Sequence, residues 1–144
     1  MSGIVCPIRG GPTSQSTIRE AIRLAKEHGS PLHFVYVVNL DFLSFTSHTR
    51  IHTITEEMRE LGEFILLTAQ TQADAQGVSA VGDVLEGNVL EQIIKFSHEI
   101  QANYVVLGRP KIDTHESVFT HESLNQFKSR IETETGAKVV FAAE

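Results

Sequence analysis

The sequence predicts an α/β fold, a five-stranded doubly wound parallel sheet with helices on both faces, spanning residues 1–144 as one domain. Three observations predict it. Short apolar runs alternate with segments whose apolar residues recur at helical spacing. Most of these segments close on a glycine or proline breaker. The length, 144 residues, suits one domain with a sizeable core and needs no metal or disulfide. Strands alternating with helices imply right-handed crossovers and a parallel sheet covered on both sides.

The elements follow in order. Ile4, Val5, Cys6, Pro7 and Ile8 form a buried strand that ends at Gly10, Gly11 and Pro12. Ile18, Ala21, Ile22 and Ala25 mark one face of a helix, with Thr13, Ser14 or Ser16 as its cap and Gly29 as its stop. LHFVYVV over 32–38 is a second strand. Periodicity then lapses from Asn39 to about Thr53, which reads as a loop or lid with some helix in it. A long helix over 56–76 carries Met58, Leu61, Phe64, Ile65 and Ala69 on its inner side, and Gly77 stops it. A weak third strand covers 78–84. Glu86, Gly87 and Asn88 turn the chain, and Asn88 caps a helix bearing Leu90, Ile93, Ile94, Ser97 and Ile100. YVVL over 104–107 is the fourth strand, closed by Gly108, Arg109 and Pro110. After a polar stretch over 111–121, Leu124, Phe127 and Ile131 lie on one face of a last helix that Gly136 ends. KVVFA over 138–142 is the fifth strand.

Composition excludes several classes. Apolar residues at 41% and charged residues at 21% argue against a disordered chain. Eighteen acidic against twelve basic residues give a net charge of −6, the wrong balance for a non-specific nucleic-acid binder. The single cysteine, Cys6, excludes an intrachain disulfide framework. No apolar run approaches the ~20 residues of a membrane helix, and the opening MSGIVCPIRG has no signal-peptide core. The expectation is a cytoplasmic protein with no membrane and no nucleic-acid partner.

In such sheets ligands bind beyond the carboxyl ends of the strands, where the strand order reverses. Those ends are Ile8-Arg9-Gly10, Val37-Val38-Asn39 and Leu107-Gly108-Arg109. Arg9, Arg109 and Lys111 gather three cations there. They make either an anion site or surface pairs with Asp113, Glu116 or Glu122. The segment over 10–17, GGPTSQST, is either a plain strand-to-helix turn or a flavodoxin-type phosphate cradle, with Phe42 and Phe45 as candidate flavin-stacking rings. A phosphoreceiver site is excluded: it needs a carboxylate cluster, and Arg9 and a lone Asp83 stand at the relevant strand ends. His48 and His52, and His115 and His121 beside Glu116 and Glu122, read as solvated loop histidines, not as zinc ligands. Cys6 reads as a buried structural thiol, and Ser44 and Ser47 beside His48 as loop composition, not a triad. Leu40, Phe42, Leu43, Phe45 and Ile51 make the 39–53 segment a lid or dimer contact, and Val139-Val140-Phe141 reads as an exposed sheet edge.

Two stretches carry a resemblance. Ile4-Val5-Cys6-Pro7-Ile8 with its small-residue loop and helix, then Tyr36-Val37-Val38, resembles the universal stress protein domain. So does Gly87, Ile93-Ile94, and Ala102-Asn103-Tyr104-Val105-Val106-Leu107-Gly108. The resemblance runs through the whole chain in element order and punctuation. It implies a five-stranded α/β domain, a homodimer through the last strand, and in many members an ATP site. The family's phosphate loop is Gly, two residues, Gly, nine residues, Gly, then Ser or Thr. Laid on this sequence, Gly108 takes the first glycine and Lys111 stands at the second. Residues 112–120 span the nine, and His121 and Glu122 replace the final pair, with Ser123 next.

The resemblance thus assigns ligand binding to Pro7, Ile8, Arg9, Gly10, Val37, Leu107, Gly108, Arg109, Lys111, His121, Glu122 and Ser123. Adenine would lie near Val37, with phosphates toward Arg9 and the residues from Gly108 to Lys111. The departures have physical weight. Glycines let backbone N–H groups approach phosphate, and a carboxylate at Glu122 repels a triphosphate. Arg9 stands where the family commonly has Asp. The expected role is a stress-response regulator that binds an adenine nucleotide, ATP or AMP, or another phosphate-bearing ligand. A dimeric protein-interaction module with an empty site is the alternative, and a flavin binder a third reading. The missing hydroxyl residue after the spacer, and the lack of a clear Mg²⁺-holding carboxylate, count against ATPase activity.

Overall fold

The computed structural model describes residues 3–10, 14–39, 48–108 and 121–142, with the backbone alone for 48–52 and 121–123. Nine elements follow in order: β1 (Ile4–Pro7), α1 (Ser14–His28), β2 (Leu32–Val38), α2 (His48–Ala75), β3 (Ala80–Glu86), α3 (Val89–Glu99), β4 (Tyr104–Leu107), α4 (His121–Thr135) and β5 (Lys138–Phe141). The strands form one sheet in the order β3-β2-β1-β4-β5, and every pairing is parallel.

Alternation along the strands sorts side chains into two layers. Ile4, Cys6 and Ile8, with Leu32, Phe34, Tyr36, Val38 and Val106, pack with apolar residues of α1 and α2. Val5, Val35, Val105, Leu107 and Val139 pack with Ile93 of α3 and Ile131 of α4. Both faces are covered, so the central strands read as unbroken apolar runs instead of alternating ones. The expected α/β class and strand number stand.

Second-strand and fourth-strand limits agree with the sequence reading, and so does the α3 cap: Asn88 Oδ1 accepts from the Glu91 N–H at 3.1 Å. At α1 the Ser14 hydroxyl donates to the Gly10 carbonyl at 3.0 Å, tying the helix start to the end of β1.

Three expectations need correction. The third strand lies at 80–86, not 78–84. The Val78 N–H donates to the Ala73 carbonyl at 2.9 Å, so Val78 closes α2 and cannot join the ladder. Residues 48–53 are helical, so α2 starts eight residues before the expected 56. The part of the 39–53 lid at 40–47, with Phe42 and Phe45, lies outside the described residues. The third correction concerns the inner face of α2. Met58, Ile65 and Ala69 face the core as expected, but Leu61 and Phe64 do not: they are 53% and 69% exposed. The seam is built instead on Gly62, Leu66, Ala69 and Ala73. A Cβ on Gly62 would stand 2.5 Å from Tyr36 Cδ1. Small residues let the helix lie close on the sheet, and the large side chains one step round the helix are turned outward.

Among the described residues no helix is long and apolar enough to cross a membrane.

Candidate functional site

From β1 the chain winds to β2 and β3 on one side, then crosses to β4 and β5 on the other. β1 and β4 are therefore the switch point, where loops diverge and leave a crevice. The Ile8 N–H donates to the Val35 carbonyl at 2.9 Å, so β1 stays paired one residue past Pro7. The Ala142 N–H donates to the Leu107 carbonyl at 2.9 Å and holds the end of β4 from its other side.

On the α3/α4 side of the sheet, Val5, Val35 and Val105 are fully buried. One pleat further along, Pro7 and Val37 are only half-buried, as is Leu85 of β3. With Leu107 they make an apolar floor at the carboxyl ends of four neighbouring strands. Arg9, just past it, is exposed. Gly10 has φ +82°, a left-handed conformation that L side chains rarely adopt, and a Cβ there would stand 2.7 Å from Ile65 Cδ1 of α2.

Gly108 closes the crevice from the β4 side. A Cβ on it would stand 2.8 Å from Thr17 Oγ1. Thr17 is buried in the first turn of α1, so β4's exit and α1's start are pressed together. Cys6 lies beneath: its thiol points at the Thr17 carbonyl, 4.0 Å away, and burial pushes its pKa far up. It is a structural thiol, as read.

Pro7, Ile8, Arg9, Gly10, Val37, Leu107 and Gly108 thus end on adjoining strands at one end of the sheet. Arg109 and Lys111 lie outside the described residues, together with Asp113, His115 and Glu116. His121, Glu122 and Ser123 form the first turn of α4, and of their side chains nothing is described. The sequence reading placed Thr17 in the 10–17 segment but not its contact with Gly108, and it missed Leu85, because the third strand was ended at 84. Among the described residues no three His, Cys, Asp or Glu side chains are grouped to hold a metal.

A family model, that of the universal stress protein family, matches residues 1–126. The chain belongs to the universal stress protein family. Its sequence is 28% identical over 106 residues to a universal stress protein of Methanocaldococcus jannaschii, a match covering 73% of this chain and 62% of that relative's length. The fold is similar to that of a Burkholderia pseudomallei protein of the same family, with a TM-score of 0.71 at 22% identity, covering 99% of this chain and 96% of that one. It is also similar to an Archaeoglobus fulgidus universal stress protein in complex with dAMP, with a TM-score of 0.64 at 15% identity over 99% and 98% of the two chains. A universal stress protein in complex with cAMP gives 0.71 at 14% over 99% and 97%. At these identities the structures establish the fold alone.

Proposed function

We propose that this universal stress protein is a stress-response regulator that binds an adenine nucleotide carrying one phosphate, in the crevice between β1 and β4. The observation that carries this reading is the switch point itself: half-buried Pro7 and Val37 flank an apolar floor, and Gly108 stands against Thr17 at its rim. In the proposal the purine lies on Pro7, Val37 and Leu85. The phosphate meets Arg9 and the backbone after Gly108, with Arg109 and Lys111 as further cations. Two similar folds were solved with dAMP and with cAMP, each a single-phosphate adenine nucleotide. The sequence supports the same choice. Lys111, His121 and Glu122 replace two glycines and a hydroxyl of the triphosphate loop, and a carboxylate close to a polyphosphate is repulsive wherever water is thinned out. The role is binding, not turnover.

The test is a thermal-shift titration with AMP, cAMP, ADP and ATP, repeated on Arg9→Ala. A ligand at a hundred times its Kd stabilises by about 2.7 kcal/mol. AMP or cAMP is expected to raise Tm more than ATP does, and Arg9→Ala to reduce the shift. We further propose homodimerisation through β5, which is an outer strand of the sheet. A charge placed at Val140 should then lower the sedimenting mass.

A further inference from the structure

The outward face of α2 carries Leu61, Phe64 and Leu67 at 53%, 69% and 60% exposure. Three large apolar side chains exposed along one helix are uncommon on a surface that stays wet. Their spacing is symmetric: Leu61 and Leu67 stand three residues either side of Phe64. A second α2 laid antiparallel across the first, with the two-fold axis at Phe64, sets Phe64 against its own copy and Leu61 against Leu67 in both directions. An isologous contact needs that self-complementarity.

Charge follows the same axis. On the amino-terminal side of Phe64, α2 exposes Glu57, Glu60 and Glu63. Its carboxyl-terminal half borders an open cleft of about 520 Å³ shared with α1, whose wall carries Arg19, Arg23 and Lys26. Arg23 is held by Glu20 and Glu27, at 2.5 and 2.8 Å, while Arg19 and Lys26 make no ion pair among the described residues. About the Phe64 axis Glu57 comes level with Thr71, one residue from Gln72 in the cleft wall. Glu57 lies on the α1 side of the Phe64 line, so each copy's Glu57 is brought to the height of the other copy's basic cleft, twice.

We infer that the α2 face is a self-association surface, with two copies packed antiparallel about Phe64 and Glu57 of each directed at Arg19 and Lys26 of the other. The surface lies over β2 and β3, at the far side of the sheet from β5, so it does not compete with a contact through that strand.

Disulfide trapping in the full chain tests the geometry. Phe64→Cys should cross-link to itself under mild oxidation. Leu61→Cys and Leu67→Cys should each stay uncross-linked, because two copies of one such position are offset by about 9 Å along the helices. Mixed together, those two should cross-link. The native Cys6 is fully buried and leaves the wild-type control unlinked. In sedimentation, Phe64→Glu should weaken the contact at least tenfold with Tm unchanged. Arg19→Glu with Lys26→Glu should do the same, and Glu57→Lys added to that variant should restore it. Failure of Phe64→Cys to cross-link overturns the inference, as does self-linking of Leu61→Cys at an equal rate. Sedimentation unaffected by Phe64→Glu overturns it too, and leaves a basic helix of another protein as the occupant.

Discussion

Gly108 lies against Thr17 so closely that a Cβ on the glycine would stand 2.8 Å from the threonine hydroxyl oxygen. The contact joins the exit of β4 to the first turn of α1, the two backbone segments that bound the crevice. Gly108→Ala should therefore force them apart. The expected loss is about 1–2 kcal/mol, the usual effect of an added methyl in a packed site. Thr17→Ala in the same chain should recover part of it. Denaturant unfolding of the two single variants and the double variant checks this. Additive losses would mean the two residues are not in contact.

Cys6 is fully buried and its thiol pKa is pushed far above the ordinary range by loss of hydration. The thiolate is the reactive form. An aromatic disulfide reagent at pH 8 should label the native protein only as fast as it unfolds, and label the denatured protein at once. Stoichiometric labelling within seconds in native buffer would contradict the burial.

His33 on β2 packs edge-on to Phe96 with ring centroids 5.8 Å apart. Burial holds its pKa below the ordinary 6.5, and the Asp83 charge offsets this only in part. The folded state thus resists a proton that the unfolded chain accepts. Stability from this group is present above pH 6.5 and is lost as pH falls through that value, ceasing to change once pH is below the folded pKa. His33→Gln should flatten the stability profile between about pH 7 and 5. An unchanged slope would remove His33 as its source.

Ser97 of α3 is fully buried, and its hydroxyl is the one such side-chain group without a hydrogen-bond partner among the described residues. Leaving a buried hydroxyl unpaired costs about 1–3 kcal/mol. Ser97→Ala should raise Tm, by ~2–4 °C for each kcal/mol relieved in a domain of this size. A fall in Tm would show that the hydroxyl is bonded in solution.

The sequence made the scaffold legible because its signals were local. The run from Leu32 to Val38, the Asn88 cap and the Gly136 stop each fix an element without reference to the rest of the chain. The strand ends followed from those elements. Long-range packing was harder to read. Leu61 and Phe64 have the size and spacing of core residues, yet Tyr36 presses on Gly62 and turns them outward. Nothing in the α2 sequence reports the position of a tyrosine on β2. Val78 misled for the same reason: its apolar side chain suits a strand, but its N–H belongs to the end of α2. The contact of Thr17 with Gly108 escaped notice because the two are ninety-one positions apart in the chain.

The most direct test of the nucleotide reading is calorimetric titration of AMP and of ATP into the wild-type protein and into Arg9→Ala, at one salt concentration and without Mg²⁺. Saturable AMP binding is expected, with ATP binding at least tenfold weaker and a loss of AMP affinity when Arg9 is removed. ATP bound as tightly as AMP, or AMP affinity indifferent to Arg9, would contradict it. An absence of heat and of Tm shift with either nucleotide would contradict it as well.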